Sequence, residues 1–134
     1  MFSKPGILLR IEGACVFALS LIFYQAIESH RWVYFLAFLW PDLFMLGYLV
    51  SVRLGSRLYN LVHTYIFPFA LVGVSYYEQK NGLMSFALIW LAHIGLDRAL
   101  GFGLKYPTFF KDTHLQRVNQ IVATVVRASP ERLA

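Results

Sequence analysis

Charge is scarce in this chain. Of its 134 residues only 14% are Asp, Glu, Lys or Arg, against 58% hydrophobic. With a mean hydropathy of +0.57, a 15.4 kDa globular domain has too little interior to hide that much apolar surface. The sequence therefore predicts a bilayer as solvent and a single domain. Cysteine is nearly absent too. Cys15 alone excludes an intrachain disulfide and a cysteine-based metal site. There is no GxSxG nucleophile motif, no phosphate-cradling glycine loop, no internal repeat and no low-complexity tract. The net charge of +5 comes mainly from Lys and Arg near the ends of apolar runs. No basic face recurs with aromatics, which suits lipid headgroups and argues against nucleic acid.

What the chain does have is four apolar runs, at about residues 7–27, 32–52, 58–77 and 83–104. Each approaches the roughly 20 residues a helix needs to cross about 30 Å of hydrocarbon. The connectors ESHR, RLGSR and EQKNG are short, so the expected fold is an all-α, up-down-up-down bundle of four transmembrane helices over residues 1–112. The first run has no small-x-small cleavage site and is expected to be a retained helix. Residues 113–134 are expected to form an amphipathic tail, because Thr113 and Gln116 have capping-box spacing and Leu115, Val118, Val122 and Val125 recur at helical spacing. Lys4, Arg10, Arg53, Arg57 and the tail cations (Lys105, Lys111, Arg117, Arg127, Arg132) outweigh the neutral first and third connectors (Glu28 with Arg31, Glu78 with Lys80). The positive-inside rule then places both termini in the cytoplasm of a cell with an inner membrane. Trp32, Tyr34, Tyr76 and Tyr77 fall where an outer aromatic belt belongs.

Ionisable side chains interrupt these runs. Asp42, His63, His93 and Asp97 lie within them, and Glu12 lies just inside the first. An acid or imidazole at membrane depth costs about 3 kcal/mol and is a functional hypothesis by default. His93 and Asp97 are i and i+4, on one helix face; Asn60 and His63 are i and i+3, on another. Pro41 cannot donate to the Ala37 carbonyl, so a kink and a freed acceptor are expected beside Asp42. Glu12, Asp42 and Asp97 sum to three negative charges, and Arg98 supplies one cation at depth. The excess calls for a divalent metal or for protonated carboxyls.

Taken together these residues predict a metal-dependent, hydrolase-like enzyme acting on a lipid or other amphiphile. His63, His93, Asp42 and Asp97 would ligate zinc, manganese or iron, and Glu12 would be the general base for a metal-bound water. Asn60 and Arg98 would support them. Two other classes use the same residue types: a metal-free acid/base isomerase or cyclase of an isoprenoid-like substrate, and an oligomeric proton or metal-ion conduit. Gly95, Ala99 and Gly103 form a small-xxx-small stripe roughly opposite the His93/Asp97 face. It would serve the bundle itself or a homo-oligomer seam.

Three strings carry a further signal: PDLFMLGY (41–48), YNLVHTYIFP (59–68) and LAHIGLDRALGFGLKYPTFFKDTHL (91–115). They resemble the domain of unknown function 4260 family of small bacterial integral membrane proteins, over about Leu9 to Leu115. Asp42, Asn60, His63, His93, Asp97 and His114 coincide with polar positions of the family pattern. The resemblance implies that His114 joins the site, by a tail folded back over its mouth. It brings no activity with it.

Overall fold

The computed structural model describes residues 5–27, 31–108 and 112–128, without the side chains of residues 31–33 and 126. Lys4, Glu28, Lys111 and Arg132, and the side chains of Arg31 and Trp32, lie outside this description. The elements are α1 (Pro5–Ile27), α2 (Arg31–Phe38), a 3-10 helix (Trp40–Leu49), α3 (Val52–Val62), α4 (Ile66–Tyr77), α5 (Asn81–Leu100) and α6 (His114–Ala128). Among the described residues the only β pairing is an isolated antiparallel bridge between Lys105 and Thr113.

The centre of the bundle is α5. It buries Ala87 to Ile89 and Leu91 to Gly95, which takes up every side of the helix, and α1, α2 and α4 all pack on it. Its partner α1 turns Gly6, Gly13, Ser20 and Tyr24 inward. The two helices run antiparallel with their backbones in contact. A Cβ on Gly13 would stand 2.8 Å from the Gly95 carbonyl oxygen, and one on Gly95 would stand 2.7 Å from the Phe17 nitrogen. Small residues permit this approach, the main source of helix association where lipid gives no hydrophobic drive. Tyr24, Leu88, Ile89 and Leu91 form the core below it, with Tyr34 and Phe38 packed against them. Tyr34 is half-buried and stacks on Phe38, whereas Tyr76 and Tyr77 are exposed at the end of α4.

The small-residue stripe is used within the chain. Gly95 and Ala99 lie against α1, and Arg10 Nε donates to the Ala99 carbonyl at 2.8 Å. Gly103 is covered by His114 and Leu115.

Among the described residues three helices are long and apolar enough to cross a membrane, counting Val52–Tyr77 as one, not the four expected. The second run is divided. Pro41 has no N–H for the Ala37 carbonyl, so the α-helix stops, and Asp42 N–H turns to the Leu39 carbonyl at 3.1 Å, an i→i+3 bond. The chain then keeps 3-10 pitch for ten residues, a long stretch for this helix type. A three-residue period explains the faces it shows. Leu43, Leu46 and Leu49 make one row, 63%, 62% and 84% exposed, while Pro41 and Gly47 are buried on another.

A second correction concerns RLGSR. It is no connector but the first half of α3, capped by Ser51, whose Oγ accepts from Leu54 N–H at 3.1 Å. The turn between the 3-10 helix and α3 is therefore short, and the two pack as a hairpin. A Cβ on Gly55 would lie 2.3 Å from the Tyr48 ring, and one on Gly47 would lie 3.1 Å from the Gly55 Cα. The third run is interrupted as well. α3 ends at Val62, and α4 begins at Ile66 with Pro68 buried in its first turn. Pro68 has no N–H to offer the Thr64 carbonyl, so the chain bends at residues 63–65.

Beyond α5, Gly101 takes the left-handed conformation (φ 98°) and ends the helix, with Phe102 N–H bonded to the Asp97 carbonyl at 2.8 Å. Residues 104–108 and 112–114 then pair as a strap. Tyr106 N–H donates to the Asp112 carbonyl and His114 N–H to the Leu104 carbonyl. The expected tail helix is α6, with Leu115 buried and Ile121 and Val125 exposed. It reaches the start of α1, where Asn119 meets Gly6. The start of α1 and the first turns of α6 therefore lie at one end of the bundle.

Candidate metal centre

The two proline-made interruptions and the unbroken α5 meet at one point. The first delivers Asp42, the third residue of the 3-10 helix and the one after Pro41. The second delivers His63, at the end of α3. α5 contributes His93 and Asp97, one turn apart. One ligand atom from each of the four lies within 4.8 Å of all the others. His63 Nε2 is 3.2 Å from His93 Nε2, 3.4 Å from Asp97 Oδ2 and 3.7 Å from Asp42 Oδ1. His93 Nε2 is 3.4 Å from Asp42 Oδ1 and 3.7 Å from Asp97 Oδ2. Metal–ligand bonds of about 2.0–2.1 Å in a tetrahedron set neighbouring donors about 3.4 Å apart. Five of the six separations are close to that value.

One of the two rings is held in a suitable tautomer. His63 Nδ1–H donates to the Tyr59 carbonyl at 2.9 Å, which leaves its Nε2 lone pair facing the cluster. Tyr59 stacks on His63 at 3.6 Å between centroids, and its hydroxyl donates to Asp97 Oδ2 at 3.2 Å. His93 lies edge-on to Phe38, and its buried Nδ1, with no well-formed hydrogen bond, interacts with the Phe38 backbone at the end of α2. Both imidazole side chains are 3% exposed; Asp97 is 21% and Asp42 41% exposed. Asp42 is therefore the open side of the cluster. An apolar groove of about 400 Å³, lined by Leu39, Leu43, Met45, Leu46 and Leu49, ends at it.

The strap closes the opposite side. Asn60 Nδ2–H donates to the Lys105 carbonyl at 2.8 Å, and Lys105 N–H donates to Asn60 Oδ1 at 2.7 Å. Arg98 reaches from α5 to the His63 carbonyl (3.5 Å) and donates to His114 Nε2 (2.9 Å). Leu104 N–H approaches His114 Nδ1 at 2.8 Å. A neutral imidazole has one acceptor nitrogen, so the ring satisfies one of these donors at a time. Burial first, and then the Arg98 guanidinium, lower the His114 pKa, so the ring favours the neutral form. Lys105 is buried, with its ammonium 4.3 Å from the Tyr59 ring centre. Burial pushes its pKa down, and Asp97 and Asp42 pull it back up. At the outer edge, Arg117 forks onto Asp112, which also accepts from Thr108, and holds that carboxyl at about 2.

Of the residues expected in the site, Asp42, His63, His93 and Asp97 converge. Asn60, Arg98 and His114 form the layer behind them. Glu12 does not join: it is exposed on α1 and is not one of the four. The sequence reasoning missed Tyr59 and Lys105. Tyr59 stands four residues before His63, one turn away, which was the available signal. Lys105 lay inside the LKYP string but read as a topology cation. Its presence alters the charge balance, because Arg98 and Lys105 together offset Asp42 and Asp97. Donor geometry, not uncompensated charge, is what points to a metal.

These features define an all-helical protein with membrane-like spans and a His/Asp cluster set between broken helices. The chain matches the family described as Domain of unknown function (DUF4260) over residues 6–118, and it belongs to that family. No curated protein and no solved structure matches it.

Proposed function

We propose that this protein is an intramembrane metalloenzyme in which Asp42, His63, His93 and Asp97 bind one divalent ion, zinc, manganese or iron. The observation that supports this is the set of donor separations, close to the edges of a coordination tetrahedron. The bound ion would supply Lewis acidity and a hydroxide-like water for hydrolysis. Four protein donors would close a tetrahedral ion, so Asp42, the most exposed of them, would be the ligand that faces the substrate and yields its position, its freed carboxylate then serving as the general base. The groove along the 3-10 helix is apolar, so the substrate is an amphiphile whose tail lies along Leu43 and Leu46 with its polar group at Asp42.

The test is elemental analysis of detergent-purified protein after exposure to Zn, Mn and Fe, with His63→Ala and His93→Ala beside it. One ion per chain in the wild type, lost in both variants, is the expected result. A wild type that takes up none of the three refutes the metal.

One contact favours a second reading. At 3.2 Å the two Nε2 atoms are also at hydrogen-bond distance, so a single shared proton satisfies both. With Arg98 and Lys105 balancing the carboxylates, a metal-free acid/base isomerase or cyclase, or a proton relay, uses the same cluster. A folded wild type without metal selects this reading.

We place the protein in a cell membrane with both termini cytoplasmic, on the side of the exposed Arg53 and Arg57. A reporter at residue 80 should be external and one at the C-terminus internal; the reverse pattern refutes this orientation.

A further inference from the structure

Tyr59 makes three contacts that converge on two different ligands. Its carbonyl takes the Nδ1 proton of His63. Its ring lies flat against that imidazole, 13° from parallel. Its hydroxyl donates to Asp97 Oδ2, the oxygen that faces both histidines. The residue is 3% exposed, and Lys105 sits on its ring. A single residue therefore sets the tautomer of a ligand from α3 through its carbonyl, that ligand's tilt through its ring, and the rotamer of a ligand from α5 through its hydroxyl. Without the hydroxyl, the carboxylate of Asp97 keeps only the histidines as near partners among the contacts described, and its rotation about χ2 is no longer fixed. Groups behind a metal's own ligands act in this way, and their loss typically weakens metal binding about 10- to 100-fold.

We infer that Tyr59 is the positioning residue that couples His63 to Asp97 and presets the ligand geometry. This rests on the metal-binding reading above. The experiment is titration of the purified protein with Co(II), whose visible absorption reports coordination geometry, on wild type, Tyr59→Phe, Asp97→Asn and the double variant. The phenylalanine keeps the ring stack and the backbone carbonyl and removes only the hydroxyl. The expected outcome is a 10- to 100-fold weaker Co(II) affinity and an altered visible spectrum in Tyr59→Phe. Its thermal unfolding without metal should be unchanged, and it should add nothing in the Asp97→Asn background.

A change below threefold in Tyr59→Phe, or an effect of full size in both backgrounds, overturns the inference while leaving the metal reading intact. A wild type that binds no Co(II), and none of the three ions above, overturns both. Should Tyr59→Phe fail to fold, the wild type and Asp97→Asn suffice. With tyrosine labelled by carbon-13 at Cζ, the Tyr59 resonance should move in Asp97→Asn, and an unmoved resonance overturns the inference.

Discussion

α1 and α5 are unbroken and touch backbone to backbone; the chain between them, residues 31–77, is interrupted twice. The two regions have different tasks. The Gly13/Gly95 contact fixes the frame, and it does so without chemistry on its surface. The interrupted region contributes Asp42 and His63 from places where helical hydrogen bonding has been given up at Pro41 and ahead of Pro68. Irregular backbone at membrane depth is tolerated where it is enclosed by protein, and here the enclosing element is α5. Only α5 belongs to both regions, packing on α1 through Gly95 and presenting His93 and Asp97.

This division can be broken most severely at the frame. Gly95→Leu drives a side chain into the Phe17 backbone, which cannot yield as a side-chain tip can. The expected loss is about 3 kcal/mol or more, read as a collapse of the unfolding temperature in detergent whether or not metal is present. A variant of wild-type stability would mean that the backbone contact does not carry the fold.

Pro41→Ala sharpens the comparison from the other side. It returns the N–H that lets α2 continue, so it should leave stability within about 1 kcal/mol. It should also re-aim Asp42 and weaken metal binding about tenfold. Equal metal affinity in the two proteins would show that the proline is not what places the carboxylate.

The smallest effect is expected at the strap. The Asp112 carboxyl is held at about 2, chiefly by the Arg117 hydrogen bond, against an ordinary 3.8. Its contribution is thus complete above pH 4 and lost as pH falls towards 2. Amide exchange at Tyr106 and His114 should be slower at pH 5 than at pH 3 once corrected for intrinsic rates, and Asp112→Asn should remove the difference. The pair lies at the outer edge of the strap with the Arg117 side chain 43% exposed and solvent within reach, so global stability should hardly respond.

Much of the frame and most of the cluster were legible beforehand. α1 and α5 were found because a continuous apolar run has one reading, and Asp42, His63, His93 and Asp97 because ionisable groups stand out against it. The interruptions were harder. Pro41 announced a kink, but ten residues of 3-10 pitch follow from how WPDLFMLGYL packs on α3, and a sequence does not display its packing partner. RLGSR looked like a loop for the same reason. Gly55 is there for the Tyr48 ring, not for a turn. Glu12 looked equivalent to the other acids, yet it lies exposed on α1 and is not among the four groups that converge. Tyr59 and Lys105 were hidden because tyrosine and lysine have commonplace roles in membrane proteins, and only the fold shows which ones stand beside a ligand.

The 3-10 pitch also changes how far the chain reaches. Ten residues rising about 2.0 Å each cover about 20 Å, where α-helical pitch would cover about 15 Å. With the eight residues of α2 the divided segment has a contour near 32 Å, close to the hydrocarbon thickness of a bilayer. The same residues as one plain helix would fall about 5 Å short. Hydrophobic mismatch therefore bears on this segment in a way it does not on α1 or α5, whose pitch has no slack: a thinner bilayer favours the shorter form. On the metal-binding reading, with the divided segment set across the bilayer, lipid chain length should act on Asp42 near the change of pitch, readable as metal affinity in nanodiscs of short- and long-chain lipid.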